Sequence, residues 1–577
     1  MRLTTNKTKN GVSFYVIQSI KRDGKRSSEV VEKLGTDKEI CERYGCSDAA
    51  AWAQSHVEEL NRQQKEKNHK VLIPFHTDVR IPLGQKNCFN VGYLFLQQIY
   101  FKLKLPEICR TISSEYGFDY SLDEILSRLI YGRILYPSSK LSCYEQSFKL
   151  LEQPGFHLHQ IYRALSVLAE KTDYVQSALY ENSLKMIDRK SGVLFYDCTN
   201  YFFETEEQEG IKQYGPSKEH RPSPIVQMGL FMDASGLPLA FSINPGNTNE
   251  QKTLKPLEQR ILKDFSLSRF IVCTDAGLAS EANRRFNNYG GRCFITTQSI
   301  KTLKKELKEW CLDPRGWHLK GSDALHDISR LEDSEENQGK IFYKERLVEG
   351  YDAEQDVPFN QTLIVSFSLK YKRYLQKIRN QQIERARAAI NSGEKRLETH
   401  NQNDYRRFVS RVSVTKDGEV ASSKLYGINE DLIAEEEKYD GFYAVCTNLE
   451  DDADAIIEIN KKRWEIEESF RIMKSEFEAR PVYLKREDRI AAHFLTCFIA
   501  LLTYRILERK LNNQYTCPEI IKTLKDMKVT SVGDEGFIPS YTRTALTDAL
   551  HEMAGFRTDY ELMKKRSMQG ILSNSKK

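Results

Sequence analysis

Fifteen consecutive residues hold charged side chains at a spacing suited to phosphate chemistry: Asn460-Lys461-Lys462-Arg463-Trp464-Glu465-Ile466-Glu467-Glu468-Ser469-Phe470-Arg471-Ile472-Met473-Lys474. Wound as one helix at about 100° per residue, Arg463, Glu467 and Lys474 fall within about 40° of one another, with Asn460 beside them. Ile459, Ile466, Phe470, Met473 and Phe477 form an adjacent apolar stripe. Alone, this pattern is explained by an intrahelical Arg463–Glu467 pair worth about 0.2–0.5 kcal/mol. Asp197 and Asp275 change that reading. Each closes an apolar, strand-like run, Val193-Leu194-Phe195-Tyr196 before the first and residues 269–274 before the second. If the two strands are neighbours, their acids meet at one sheet edge, and a helix laid on the sheet adds Glu467. Three converging carboxylates repel unless cations neutralise them. Mg²⁺ suits such oxygen ligands and keeps positions open for water and phosphate. Two ions about 4 Å apart would activate an attacking oxygen and stabilise a leaving one.

The elements that must position these acids are legible around them. Strands are expected at 193–197, 225–232, 237–243 and 269–274, with a turn at Ser235-Gly236 and a capped helix over 249–263. Antiparallel strands followed by a crossover helix predict a mixed sheet. Upstream, residues 12–34 read as two strands joined by a turn at Asp23-Gly24. Residues 37–67 read as charged helix, 74–83 as loop with Pro74 and Pro82, and 90–190 as helices broken at Pro137-Ser138-Ser139 and Pro154-Gly155. Downstream, strand-like pieces at 340–342, 362–367 and 408–414 accompany a basic helix at 370–398. Residues 454–510 return to helix, and the tail from 511 is mixed.

Composition narrows the class. A chain of 577 residues needs several folding units. Lys and Arg number 86 against 81 Asp and Glu, a net charge of +5, so any nucleic-acid surface must be a local concentration of charge. Hydrophobic residues make up 40%, which excludes bulk disorder. No run of about 18 apolar residues occurs. Residues 494–507, which include Arg505, read as a buried helix, and no signal peptide or membrane association is expected. The 12 cysteines are scattered without a Cys-x-x-Cys pair, as ordinary thiols in a reducing, cytoplasmic setting. Cys41 and Cys46 lack a nearby histidine, and His157 with His159 fits no zinc spacing. No Walker A, GxGxxG, HExxH or GxSxG segment supports nucleotide hydrolysis or serine chemistry.

The spacing Arg463-x3-Glu467-x6-Lys474 resembles the signature Tyr-x2-Arg-x3-Glu-x6-Lys of DDE transposases from the IS-four superfamily of bacterial insertion sequences. Tyr196-Asp197-Cys198-Thr199 is similar to that family's first catalytic strand, and Thr274-Asp275-Ala276-Gly277-Leu278 to its second. Tyr214-Gly215-Pro216-Ser217-Lys218-Glu219-His220-Arg221, Gln227-Met228-Gly229-Leu230 and Pro245-Gly246-Asn247-Thr248 resemble its linking segments, and Asp440-Gly441-Phe442 precedes the final helix. The resemblance runs from about residue 90 to 510. It implies an α/β, multidomain protein with a ribonuclease-H-like core interrupted by a long, partly β insertion. The expected parts are an N-terminal β-hairpin plus helix (1–85) and a helical DNA-binding region (86–190). The split core follows at 191–300 and 451–510, around an insertion at 301–450, with a C-terminal region at 511–577. Asp197, Asp275 and Glu467 would be the catalytic residues and the ligands of two Mg²⁺ ions, with Mn²⁺ as a substitute. Asn460 stands where the signature has tyrosine, a residue taken to contact the DNA backbone. The implied partners are double-stranded DNA, as terminal inverted repeats and target, and a second copy of the chain on that DNA. The implied location is the bacterial cytoplasm, at the nucleoid.

DNA contacts are expected from Arg463 and Lys474, from Lys218 and Arg221 in the loop between the first two strands, and from Lys372, Arg373, Lys377 and Arg379 on the basic helix. Trp310 and Trp317 could stack an unpaired base, but core packing is the simpler account. Two further readings remain open: a ribonuclease-H-fold nuclease without strand transfer, and a catalytically silent, transposase-derived DNA-binding protein.

Overall fold

The computed structural model describes residues 1–8, 11–22, 25–69, 71–352, 356–392, 397, 404–414 and 420–577. Two compact units emerge: Met1–Lys86 with Val532–Glu535, and Asn87–Ser531 with Gly536–Lys577. In the first, strands Arg2–Thr8, Gly11–Arg22 and Lys25–Thr36 form an antiparallel sheet in that order. Helices Asp37–Tyr44 and Ala49–His69 follow, and Phe14, Val16, Leu34, Ile40, Ala53 and Val57 make the core. The expected hairpin is present, although its Asp23-Gly24 turn lies outside the described residues. The strand Arg2–Thr8 was not expected, because Leu3 is its only large apolar residue.

The second unit is built on a ten-stranded mixed sheet. Its five core strands are Val193–Phe202, Ile225–Asp233, Pro238–Pro245, Ile271–Thr274 and Cys293–Thr297, referred to as first to fifth. Their spatial order is third, second, first, fourth, fifth. The first three are antiparallel, and the fourth and fifth run parallel to the first. This order is consistent with a ribonuclease-H-like core. Side-chain alternation divides the sheet into two buried faces. Leu194, Tyr196 and Cys198 pack with Leu257 and Ile261 of helix Leu254–Asp264. Phe195, Met228, Leu230 and Cys273 join Ile466, Phe470 and Phe498 on the opposite face. Each such buried side chain contributes about 1.5–3 kcal/mol relative to exposure, so the alternation fixes the register. At the turn between the second and third strands, buried Arg189 pairs with buried Asp233 at 2.5 Å, and donates to the carbonyls of Leu237 and Pro238.

The 301–450 segment prolongs this same sheet. Phe442–Thr447 pairs antiparallel with the fifth core strand, and Gln361–Phe367, Phe342–Val348, Trp317–Leu319 and Ser322–His326 follow outward. The basic helix runs Leu369–Asn391, and a separate pair joins Val409–Val414 with Val420–Ile428. Six helices from Tyr93 to Leu184 precede the core, interrupted at both expected breaks. Helix Glu487–Lys510 is long and apolar enough to cross a membrane, but 94% of its most apolar window is buried inside the protein. It packs against helices Leu122–Leu135 and Leu158–Glu170 as the central rod of the helical layer.

Close approach requires glycine at position 229. Gly229 lies opposite Cys198, and a Cβ there would collide with the hydroxyl of Tyr196, which is held by Thr253 Oγ1 at 2.7 Å. Gly229→Ala is expected to destabilise by about 1–3 kcal/mol through overpacking. Gly192→Ala, facing open space, is expected to be near neutral. Equilibrium denaturant unfolding of the two variants measures the difference.

Candidate active site

The parallel ladder between the first and fourth strands places Phe195 opposite Cys273. Asp197 and Asp275 each stand two residues further on, so the same register brings both acids to one sheet edge. Phe195 and Cys273 belong to the face that packs against the C-terminal helices, and Asp197 and Asp275 are in step with them. Asp197 Oδ1 accepts from Cys198 N at 2.7 Å. Asp275 begins the turn Ala276–Leu278, its Oδ1 accepting from Leu278 N at 3.1 Å. Burial pushes the Asp197 carboxyl up to about 6. Lys218 and Arg463 pull it back, while the charge of Asp275 pushes it further up.

Cations crowd this edge. Lys218 Nζ donates to Cys198 O at 2.5 Å and pairs with Glu250 at 3.3 Å. Burial alone would lower its pKa, but Asp197 and Glu250 hold it above the ordinary lysine value. Lys474 is pushed down to about 8, first by burial and then by Lys218. Its amine lies 3.6 Å from Glu219, which also meets Arg480, and Arg221 stands 3.9 Å away over the ring of Phe202. Arg463 donates to Thr297 Oγ1 at 3.1 Å and feels the charges of Asp275 and Asp197.

The signature segment is not one continuous helix, which corrects the wheel drawn from sequence. Helix Ala453–Lys461 ends at Lys462, a second helix occupies Trp464–Arg471, and Ile472–Glu476 is π-wound. Because the winding changes on both sides of Glu467, Lys474 does not flank it and pairs with Glu219 instead. Glu467 keeps Arg463 at 3.9 Å, and its side chain is 66% exposed. The structure thus unites Asp197, Asp275, Arg463, Lys218 and Lys474, and Glu467 reaches them through Arg463.

Two expected DNA contacts turn inward. Asn460 is buried, donating to Tyr443 Oη at 3.1 Å and accepting from Cys273 Sγ at 3.5 Å. It ties the signature segment to the fourth strand rather than facing a phosphate. Arg379 is 5% exposed and bound to Asp440 at 2.6 Å and Glu437 at 3.3 Å, so it anchors the basic helix to the sheet. Arg373 pairs with Asp333 at 2.7 Å on the surface, Lys377 is exposed and Lys372 half-buried. Trp317 is fully buried, with Lys344 over its ring and that of Trp310. Sequence reasoning passed over Glu219, Glu250 and Arg480. Glu219 lay inside a quoted motif, between Lys218 and His220, but nothing in the spacing announced Arg480. Asp548, His551 and Asp559 converge, yet both carboxylates are held by Arg543 and Arg557, which accounts for the cluster without a metal.

With this geometry in place, comparison with known proteins decides the family. A family described as "Transposase DDE domain" matches residues 191–503, more than half of the chain. The chain belongs to the DDE transposase family. That domain spans the core strands, the segment that prolongs the sheet and the signature helices. Among solved structures, the chain is similar to a piggyBac transposase synaptic complex with hairpin DNA (9% identity, 84% of each chain covered, TM-score 0.34). It is also similar to a Mos1 transposase paired-end complex with left transposon end (12% identity, 44% of this chain and 68% of that one, TM-score 0.13). Likenesses of this strength carry no argument here. No curated protein sequence matches.

Two measurements test this site. Because the folded-state pKa of Asp197 is raised from 3.8 to about 6, its ionisation costs stability above that window. Without divalent cations, Asp197→Asn is therefore expected to be more stable at pH 7.5 by about 3 kcal/mol, with the gain vanishing as pH falls toward 4. Urea unfolding across pH reads this. Arg379→Ala, which strands a buried Asp440, is expected to destabilise by about 3–5 kcal/mol while leaving the salt dependence of DNA binding unchanged.

Proposed function

We propose that the protein is an active transposase of the IS-four type. It would cut DNA at the terminal inverted repeats of its own element and join the freed 3′-OH to target DNA. The observation that carries this reading is the in-register meeting of Asp197 and Asp275 beside Arg463, Lys218 and Lys474. Two carboxylates crowded at one edge, one of them half-buried and poorly tolerant of its charge, make a donor set that fits a divalent cation. Asp197, Asp275 and Glu467 would hold Mg²⁺, or Mn²⁺ in its place; when bound, the metal supplies activation of an attacking oxygen and neutralisation of the leaving one.

The chain's own residues do the rest. Arg463, fixed by Thr297, presents a guanidinium next to both aspartates and orients the scissile phosphate. Lys218 and Lys474 border Asp197 and neutralise charge that builds on the phosphate during displacement. Lys372, Arg373, Lys377 and Arg221 offer further phosphate contacts, and the N-terminal sheet and helical region bind the element ends. Two ends handled together call for a dimer on the DNA. The working compartment is the bacterial cytoplasm.

The test is purified protein with Mg²⁺ and a duplex carrying the element end, assayed for nicking and then for joining to a plasmid. Asp197→Asn, Asp275→Asn and Glu467→Gln are each expected to abolish cutting while retaining DNA binding. Normal cutting by all three would overturn the assignment. Cutting without joining would favour a nuclease of the same fold.

A further inference from the structure

Away from the aspartates, a cleft of about 420 Å³ opens between the Pro137–Ser142 corner and the segment 478–484 that follows the signature helices. Its walls include Arg133, Ser138, Ser139, Lys140, Tyr162 and Arg480. Lys140 is 5% exposed, and among the described residues its amine has one hydrogen-bond partner, His493 Nδ1 at 3.5 Å. His493 directs Nε2 at Ala479 O, and burial beside Lys140 and Arg133 keeps its pKa well below the ordinary value, so the ring is a neutral acceptor. Arg133 is also 5% exposed and donates only to carbonyls, those of Phe477, Glu478 and Ser138, leaving Nε unpartnered. Among the described residues no carboxylate pairs with Lys140 or Arg133. Glu478 borders the cleft but is exposed.

Burial, then the Arg133 charge, push the Lys140 amine down to about 8, so at neutral pH it still carries a buried charge that a protein usually pairs. Here the space beside Lys140 and Arg133 is hollow and bordered by the hydroxyls of Ser139, which accepts from Ser142 N and keeps its proton to donate, and Tyr162; the Ser138 hydroxyl is spent on Tyr136 O. The third cation of the wall, Arg480, also contacts Glu219, which in turn meets Lys474 next to Asp197. The cleft therefore continues the cationic edge of the active site rather than standing apart from it.

We infer that this cleft is a seat for a backbone phosphate of the DNA strand leaving the active site, with Lys140 and Arg133 as its charged floor. The inference rests on the transposase reading. It assigns to the Pro137–Ser142 corner a grip on DNA that is independent of sequence and separate from the aspartates. A strand held both at Arg463 and at Lys140 has its direction across the sheet edge defined.

The test uses the full-length protein and a random-sequence 40-base-pair duplex, with affinity followed by fluorescence anisotropy over a sodium chloride series. Lys140→Met is expected to weaken binding about tenfold and to reduce the slope of log K against log salt by about 0.9, one phosphate contact. Lys140→Arg should restore both. Ser138→Asp, which supplies the missing carboxylate, should weaken binding while leaving the melting temperature equal or raised, an outcome that a purely structural Lys140 would not produce. An unchanged slope in Lys140→Met and Ser138→Asp overturns the inference while leaving the transposase reading intact. Failure of the wild-type protein to bind duplex overturns both. A melting temperature raised by inorganic phosphate in the wild type alone, with identical DNA slopes, would assign the cleft to a free anion and overturn its role with DNA.

Discussion

Everything at the site depends on the register of one parallel strand pair. The ladder that sets Phe195 against Cys273 also brings Asp197 and Asp275 together on a half-buried edge, and the cost, first of burial and then of the neighbouring Asp275 charge, is carried as a raised Asp197 pKa. The surrounding elements can be read as answers to that cost. Lys218 arrives on the loop between the first two strands, Arg463 at the joint between two helices and Lys474 on a π-wound turn. None of the three lies in a continuous helix, so each can be aimed separately at the shared edge.

The joint at Lys462–Arg463 is itself held by polar contacts. Asn460 spans from the hydroxyl of Tyr443 to the thiol of Cys273, and Arg463 reaches Thr297. Tyr443 and Thr297 lie on adjacent strands, one from the segment that prolongs the sheet and one from the core, and their hydroxyls are 2.7 Å apart. The signature helices are therefore seated on the seam where core and insertion meet. Changes in the insertion can reach Arg463 through this seam without touching either aspartate.

The core strands and both aspartates were legible because they depend on local signals: short apolar runs, a Ser-Gly turn and an acid at the run's end. The path of the signature segment was not legible. Helical periodicity assumes constant winding, and nothing in residues 460–474 marks the stop at Lys462 or the wider turn at Ile472. For the same reason Asn460 and Arg379 read as surface residues. Their burial depends on partners distant in sequence, Cys273 for the first and Asp440 for the second. The cleft floored by Lys140 was equally hidden, because Arg133 meets Phe477 and Lys140 meets His493 only after more than three hundred intervening residues. The sequence named the three acids and the cations Arg463, Lys474 and Lys218, while the acidic and basic partners that position those cations, Glu219, Glu250 and Arg480, came from three-dimensional packing.

Prolonging the core sheet through the insertion has a consequence for how the chain is made. The fifth core strand finds its partner at Phe442–Thr447, and the face carrying Phe195 and Cys273 shares one core with residues 91–179 and with residues beyond 453. A ribosome that has released residues 193–297 has thus delivered both aspartates on a half-built sheet, with an unpaired edge at Thr297 and an apolar face still lacking its later partners. Such surfaces invite wrong pairing until later segments arrive. Assembly of the site is thereby tied to synthesis of nearly the whole transposase domain, and a truncated chain would carry both acids without the scaffold that makes them neighbours of Arg463.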